Sequence, residues 1–172
     1  MTLDGINGFD KGTFVAAFGD VFEHSPWVAE RAFARAPFAS GDDLHDAMCQ
    51  AMRAASTAEQ LALIRAHPQL AGKAAIRGEL TEASNREQRG AGLDQCSPEE
   101  FAMLTRLNAA YEEKFGFPFI IAVKGHTRAS IIAAMRARLA NGVEAEHAEA
   151  LRQIERIAAF RLNDTLVDIG YI

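Results

Sequence analysis

Cysteine is nearly absent: Cys49 and Cys96 are the only two in 172 residues. Two isolated thiols build neither a disulfide framework nor a four-cysteine zinc site, and they fit a reducing compartment. No apolar run reaches the roughly 18 residues that a membrane-spanning helix needs. The opening Met-Thr-Leu-Asp-Gly-Ile-Asn carries an acid and no basic leader, so no signal peptide is expected, and Asp-Ile-Gly-Tyr-Ile at the other end is no peroxisomal address. The expected location is cytoplasmic, with no membrane partner. A basic excess is missing too. Eighteen Lys and Arg stand against 23 Asp and Glu, a net charge of -5, which argues against a nucleic-acid partner.

Several chemistries lack their residues. There is no Gly-x-x-x-x-Gly-Lys-Ser/Thr or Gly-x-Gly-x-x-Gly phosphate loop, no Gly-x-Ser-x-Gly elbow and no Cys-x-x-Cys. The five His residues are scattered without metal-ligand spacing. Acid–base chemistry without metal or organic cofactor is what remains.

Strand signals are scarce, whereas helical punctuation is frequent. Phe9, Phe14, Phe18 and Phe22 recur near helical spacing. Ser25-Pro26 reads as cap and first residue of a helix ending before Pro37. Asp42-Asp43 opens another, with a Leu44, Ala47, Met48, Ala51, Met52 stripe. Thr57 and Gln60 suggest a capping box for a helix that stops near His67, because Pro68 follows. Ser97-Pro98-Glu99-Glu100 is a second box, opening a helix whose face includes Phe101, Leu104, Asn108, Tyr111 and Phe115. Thr127 caps a helix through Leu139, and Glu144 to about Val167 is the longest candidate. The expectation is an all-α fold: one domain over 1–172, a compact bundle of seven to eight helices.

One stretch resists that reading. Lys114 to Gly125 (Lys-Phe-Gly-Phe-Pro-Phe-Ile-Ile-Ala-Val-Lys-Gly) is the most apolar short run, yet Gly116 and Pro118 forbid a continuous helix. Aromatic and β-branched residues favour a short, buried, extended segment near 117–123. Its backbone groups, without helical partners, must bond to protein, water or a small polar ligand.

Three polar residues stand where a plain bundle would not put them. His67 ends a helix immediately before Pro68. It is either a favourable partner for the helix dipole or, since imidazole titrates near neutral pH, a proton-transfer group. Glu87 lies in Ser84-Asn85-Arg86-Glu87-Gln88, a capping-box pattern that also sets donors and acceptors around a short Gly-rich turn. Arg161 falls within the apolar stripe Leu151, Ile154, Ala158, Thr165, Ile169. A guanidinium there must be paired with a carboxylate, Glu87 being one candidate, or must line a cavity.

These motifs resemble a known family. Leu63-Ile64-Arg65-Ala66-His67-Pro68-Gln69-Leu70-Ala71-Gly72, then Ser84-x-x-Glu87-Gln88-x-x-Ala91-Gly92-Leu93, then Leu107-Asn108-x-x-Tyr111-x-x-Lys114-Phe115-Gly116-Phe117-Pro118-Phe119-Ile120 are similar to OHCU decarboxylases of uric acid degradation. OHCU is 2-oxo-4-hydroxy-4-carboxy-5-ureidoimidazoline. The resemblance implies a cofactor-free, all-α homodimer that releases CO2 and yields (S)-allantoin from a small ureide. It implies catalytic His67 and Glu87, with Arg161 binding substrate. It assigns ligand holding to Pro68, to Ser84, Asn85, Arg86, Glu87 and Gln88, and to Phe119, Ile120, Ile121, Ala122 and Val123. Association with the preceding pathway enzyme, 5-hydroxyisourate hydrolase, is a further expected partner relation. Beside the resemblance, a hydrolase or racemase acting on a related ureide, a non-catalytic ureide-binding module and a purely structural helical partner protein stay open.

Overall fold

A computed structural model describes residues 1–172. Ten α-helices and two short 3-10 turns carry the fold, with no β-strand. In order the helices are α1 (Leu3–Asn7), α2 (Lys11–Phe18), α3 (Trp27–Ala32), α4 (Gly41–Arg53), α5 (Thr57–Ala66), α6 (Lys73–Arg77), α7 (Glu82–Gly90), α8 (Pro98–Phe115), α9 (Arg128–Arg138) and α10 (Val143–Asp168). The all-α expectation holds, and the count exceeds seven to eight. The helices unforeseen in the sequence include α1 and α6, five residues each. So short a helix completes little more than one turn and shows no apolar periodicity. No helix is long and apolar enough to cross a membrane.

The chain forms two compact units, Met1–Ala66 with Glu155–Ile172, and His67–Ile154. The first is built on aromatic packing. Phe14 lies 4.9 Å from Phe18 and 5.7 Å from Phe38, ring centroid to centroid, and Phe22 is buried with them. Asn7 ties α1 into this unit, its amide donating to the Phe38 carbonyl and accepting the Phe38 N–H. Ser25-Pro26 does not act as the expected cap: α3 begins at Trp27 without a side-chain cap, and the Ser25 hydroxyl donates instead to the Glu23 carbonyl. The box before α5 sits one residue earlier than the sequence pattern suggests. Ser56 accepts the Glu59 N–H, and Glu59 accepts the Ser56 N–H. Adjacent Ser56 and Thr57 both offer a hydroxyl, and only the one in extended backbone can cap.

The second unit has its own aromatic centre, Tyr111 packing on Phe115 at 4.4 Å and on Phe119 at 5.4 Å. Helix α8 opens on the capping box expected at Ser97 and Glu100. It closes on Gly116, whose φ of 74° suits a residue without Cβ. Its buried face is Leu104, Leu107, Asn108, Tyr111 and Phe115, whereas Phe101, expected there, is 40% exposed. Thr127 caps α9 as expected.

Candidate active site

Helix α5 stops at Ala66 because Pro68 cannot donate a backbone N–H and steers His67 out of helical backbone. His67 is 7% exposed. The turn that follows is clamped at three consecutive residues. Gln88 Nε2 donates to the Gln69 carbonyl at 3.2 Å, Asn108 Nδ2 donates to the Leu70 carbonyl at 3.0 Å, and Gln88 Oε1 accepts the Ala71 N–H at 2.9 Å. Ala71 holds a φ of 50°, a conformation that L-residues adopt reluctantly. Each bond contributes about 0.5–1.5 kcal/mol net, enough together to hold the turn against that strain. Asn108 Oδ1 is buried without a partner.

Thr81, not Ser84, caps α7, accepting the Ser84 N–H. Ser84-x-x-Glu87 therefore lies inside the helix and serves as a face rather than a capping box. Ser84 and Gln88 are buried and Glu87 half-buried, while Asn85 and Arg86 are exposed. That division follows the helical repeat, since positions 84, 87 and 88 share one side. A cleft of about 440 Å³ includes Asn85, Gln88 and Ala71 in its lining. Most of its wall is apolar, with Ile76, Leu80, Leu93 and Phe101, and neither His67 nor Glu87 reaches it.

The segment Phe119–Val123 is buried and neither helix nor strand, as expected. Arg138 Nη1 donates to the Ile120 carbonyl at 2.5 Å, and Gln153 Oε1 accepts the Ala122 N–H at 3.0 Å. The Val123 carbonyl accepts the His126 N–H.

In the other unit, Arg161 sits on the buried stripe of α10 and is 7% exposed. Its Nη1 donates to Glu23 Oε2 at 2.8 Å, and Glu23 is 2% exposed. The carboxylate that a buried guanidinium demands thus comes from the turn between α2 and α3. Sequence reasoning missed Glu23, Asn108, Arg138 and Gln153. One signal was available for Gln153: it stands eight residues before Arg161 on the same stripe, a polar side chain on a core-facing row. No group of three His, Cys, Asp or Glu side chains is arranged to hold a metal ion.

A buried imidazole on a clamped turn and a carboxylate on the helix that grips that turn give the second unit a candidate acid–base pair. A family profile described as OHCU decarboxylase matches residues 7–163. The 2-oxo-4-hydroxy-4-carboxy-5-ureidoimidazoline decarboxylase of Haloferax volcanii is 45% identical over 162 residues, 94% of both chains. The chain belongs to the OHCU decarboxylase family. The uric acid degradation bifunctional protein of Bacillus subtilis is 43% identical over 170 residues, 99% of this chain and 34% of that one. Among solved structures, an (S)-allantoin synthase superposes with a TM-score of 0.78 at 27% identity, covering 96% of this chain and 54% of that chain. An OHCU decarboxylase crystallised with (S)-allantoin shares the fold, with a TM-score of 0.68 at 20% identity over 91% of this chain and 97% of that one.

Proposed function

We propose that residues 1–172 act as one catalytic domain that decarboxylates 2-oxo-4-hydroxy-4-carboxy-5-ureidoimidazoline to (S)-allantoin and CO2 during urate degradation. The observation that carries this reading is the near-complete, reciprocal coverage of the chain and its decarboxylase relative at 45% identity.

The chemistry asks little beyond positioned acids and bases. The bond from the ring carbon to the carboxylate breaks, and its electron pair forms a double bond to the neighbouring ureido-bearing carbon. The imine nitrogen takes up a proton as that pair arrives. The hydroxyl then loses its proton to become the carbonyl, while the ureido-bearing carbon gains one on a single face. One net proton is consumed per CO2 released. The imine serves as the electron sink, which other decarboxylations obtain from a cofactor.

His67 carries out proton transfer, with its turn held fixed by Gln88 and Asn108, and Glu87 orients it or the substrate. A positioned acid or base is worth about 10²–10⁴-fold in rate. Arg161 binds anionic oxygen through its planar fork of donors. Pro68, the α7 residues 84–88 and the strap 119–123 hold the ligand, the strap through backbone groups. The exposed side chains of Asn85 and Arg86 leave their backbone as the contacting part. The enzyme works in the cytoplasm as a homodimer. Association with the hydrolase that supplies its substrate belongs to the same proposal, and the relatives named as bifunctional uric acid degradation proteins, of which this chain covers 34% and 32%, favour a partner activity of that route without specifying it.

Freshly generated substrate, followed by circular dichroism of the allantoin formed, tests the reading. Wild type should give one enantiomer quickly. His67→Asn should stay folded and return the reaction to its slow, racemic background. Optically active allantoin at near wild-type rate from His67→Asn would sink the assignment.

A further inference from the structure

In an extended chain, the carbonyl of one residue and the N–H of the second residue after it share an edge. The Ile120 carbonyl and the Ala122 N–H are such a pair, and buried side chains take both, Arg138 on the first and Gln153 on the second. The groups of the opposite edge, the Ile121 N–H and carbonyl and the Val123 N–H, make no hydrogen bond within the protein. That free edge offers donor, acceptor and donor in sequence, the complement of a ureide or an imidazolone.

The anchors on the closed edge are themselves braced. Arg138 is bidentate to Glu146, Nε and Nη2 both donating at 2.9 Å, and Glu146 is fully buried. The guanidinium also lies 4.4 Å from the centre of the Phe119 ring. Gln153 Nε2 donates to Glu149 Oε1 at 2.8 Å, which turns its oxygen toward Ala122. A buried ion pair is an indifferent source of stability, and well-packed apolar residues usually do as well. Apolar residues could not hold the Ile120 carbonyl.

We propose that Arg138, braced by Glu146, and Gln153 are positioning residues: they fix one edge of the 119–123 strap so that its other edge is presented to the ureide. This rests on the proposed function, in which the strap's backbone binds substrate. Holding the strap still serves ground state and transition state alike, so the loss should appear in KM more than in kcat.

The test uses the full chain with four proteins: wild type, Gln153→Met, Arg138→Lys and, as a control, Arg128→Lys. Arg128 is a comparable arginine, bonded to Glu100 and to the Gly92 carbonyl, away from the strap. Titration of the ¹⁵N-labelled proteins with (S)-allantoin should shift the Ile121 and Val123 amides in wild type. Gln153→Met and Arg138→Lys should each raise the allantoin Kd and the KM about tenfold, one hydrogen bond's worth. Their kcat should stay within about threefold of wild type, while Arg128→Lys changes the melting temperature alone. Gln153→Met decides the matter if Arg138→Lys fails to fold. Shifts in wild type with Kd and KM unchanged in Gln153→Met would overturn the proposal alone. No shift of Ile121 or Val123 in wild type would overturn substrate binding by the strap and the proposal with it.

Discussion

Replacing Arg161 by Met separates a substrate-binding arginine from a structural one, provided its partner is changed too. Arg161 and Glu23 are 7% and 2% exposed and bonded at 2.8 Å. Arg161→Met alone takes away the guanidinium bonded to the buried Glu23 carboxylate, whose other neighbours include His24 Nε2 at 3.8 Å, at a cost of up to about 3–5 kcal/mol. For a chain of this size each kcal/mol lowers the melting temperature by about 2–4 °C, so the single variant should melt up to ~6–20 °C below wild type. Losing an opposite charge beside a buried carboxyl favours the neutral acid, so the deficit should shrink as pH falls into the carboxylate range. Arg161→Met with Glu23→Met removes both charges, and an apolar pair of similar volume is neutral or stabilising by about 1–4 kcal/mol. Stability should therefore return in the double variant. Activity should not, because the donor fork is gone, a loss of about 10²–10³-fold if it acts at the transition state. Scanning calorimetry and initial rates on fresh substrate give both quantities. Wild-type kcat/KM in the stable double variant would refute substrate binding by Arg161. A double variant that melts as low as the single would refute the argument that loss of the guanidinium beside Glu23 sets the deficit.

Three further outcomes are expected. The Glu100 carboxyl is held below its ordinary value by the Ser97 N–H and then by Arg128, so its stabilisation is present above the unfolded value and lost as pH falls through the folded one. Glu100→Gln should lower the urea midpoint at neutral pH and converge with wild type in acid; a constant difference across the range would contradict this. Burial pushes the Cys49 thiol up to about 12, so a thiol-disulfide reagent at pH 8 should modify Cys96 alone in the native protein, and fast labelling of Cys49 would show otherwise. Prolonged chelation should leave turnover unchanged, and activity lost to chelator and restored by a divalent ion would reveal a metal site.

Local chemistry is readable where one residue answers to its near neighbours. Ser97 and Thr127 cap their helices because a hydroxyl, an extended backbone and an acceptor or donor three residues on suffice. Gly116 and Pro118 rule out helix beyond α8 without any knowledge of neighbours. Where two hydroxyls compete, as at Ser56 and Thr57, backbone conformation decides between them, and the residue pattern alone points one position too far. The spacing of Ser84 and Glu87 suggests a cap, yet Glu87 lies on a face of α7, because Thr81 takes the cap.

The sequence by itself determined that Arg161 would lie on a buried row, that the row would be helical, and that a charge there demands a partner: periodicity and desolvation are properties of one segment. Only the tertiary structure decided that the partner is Glu23, 138 positions earlier, that Gln88 and Asn108 spend their amides on the turn after His67, and that Arg138 and Gln153 take one edge of the strap. A lone segment states what a buried polar group needs. Which side chain supplies it depends on distances that exist only once helices far apart in sequence have packed.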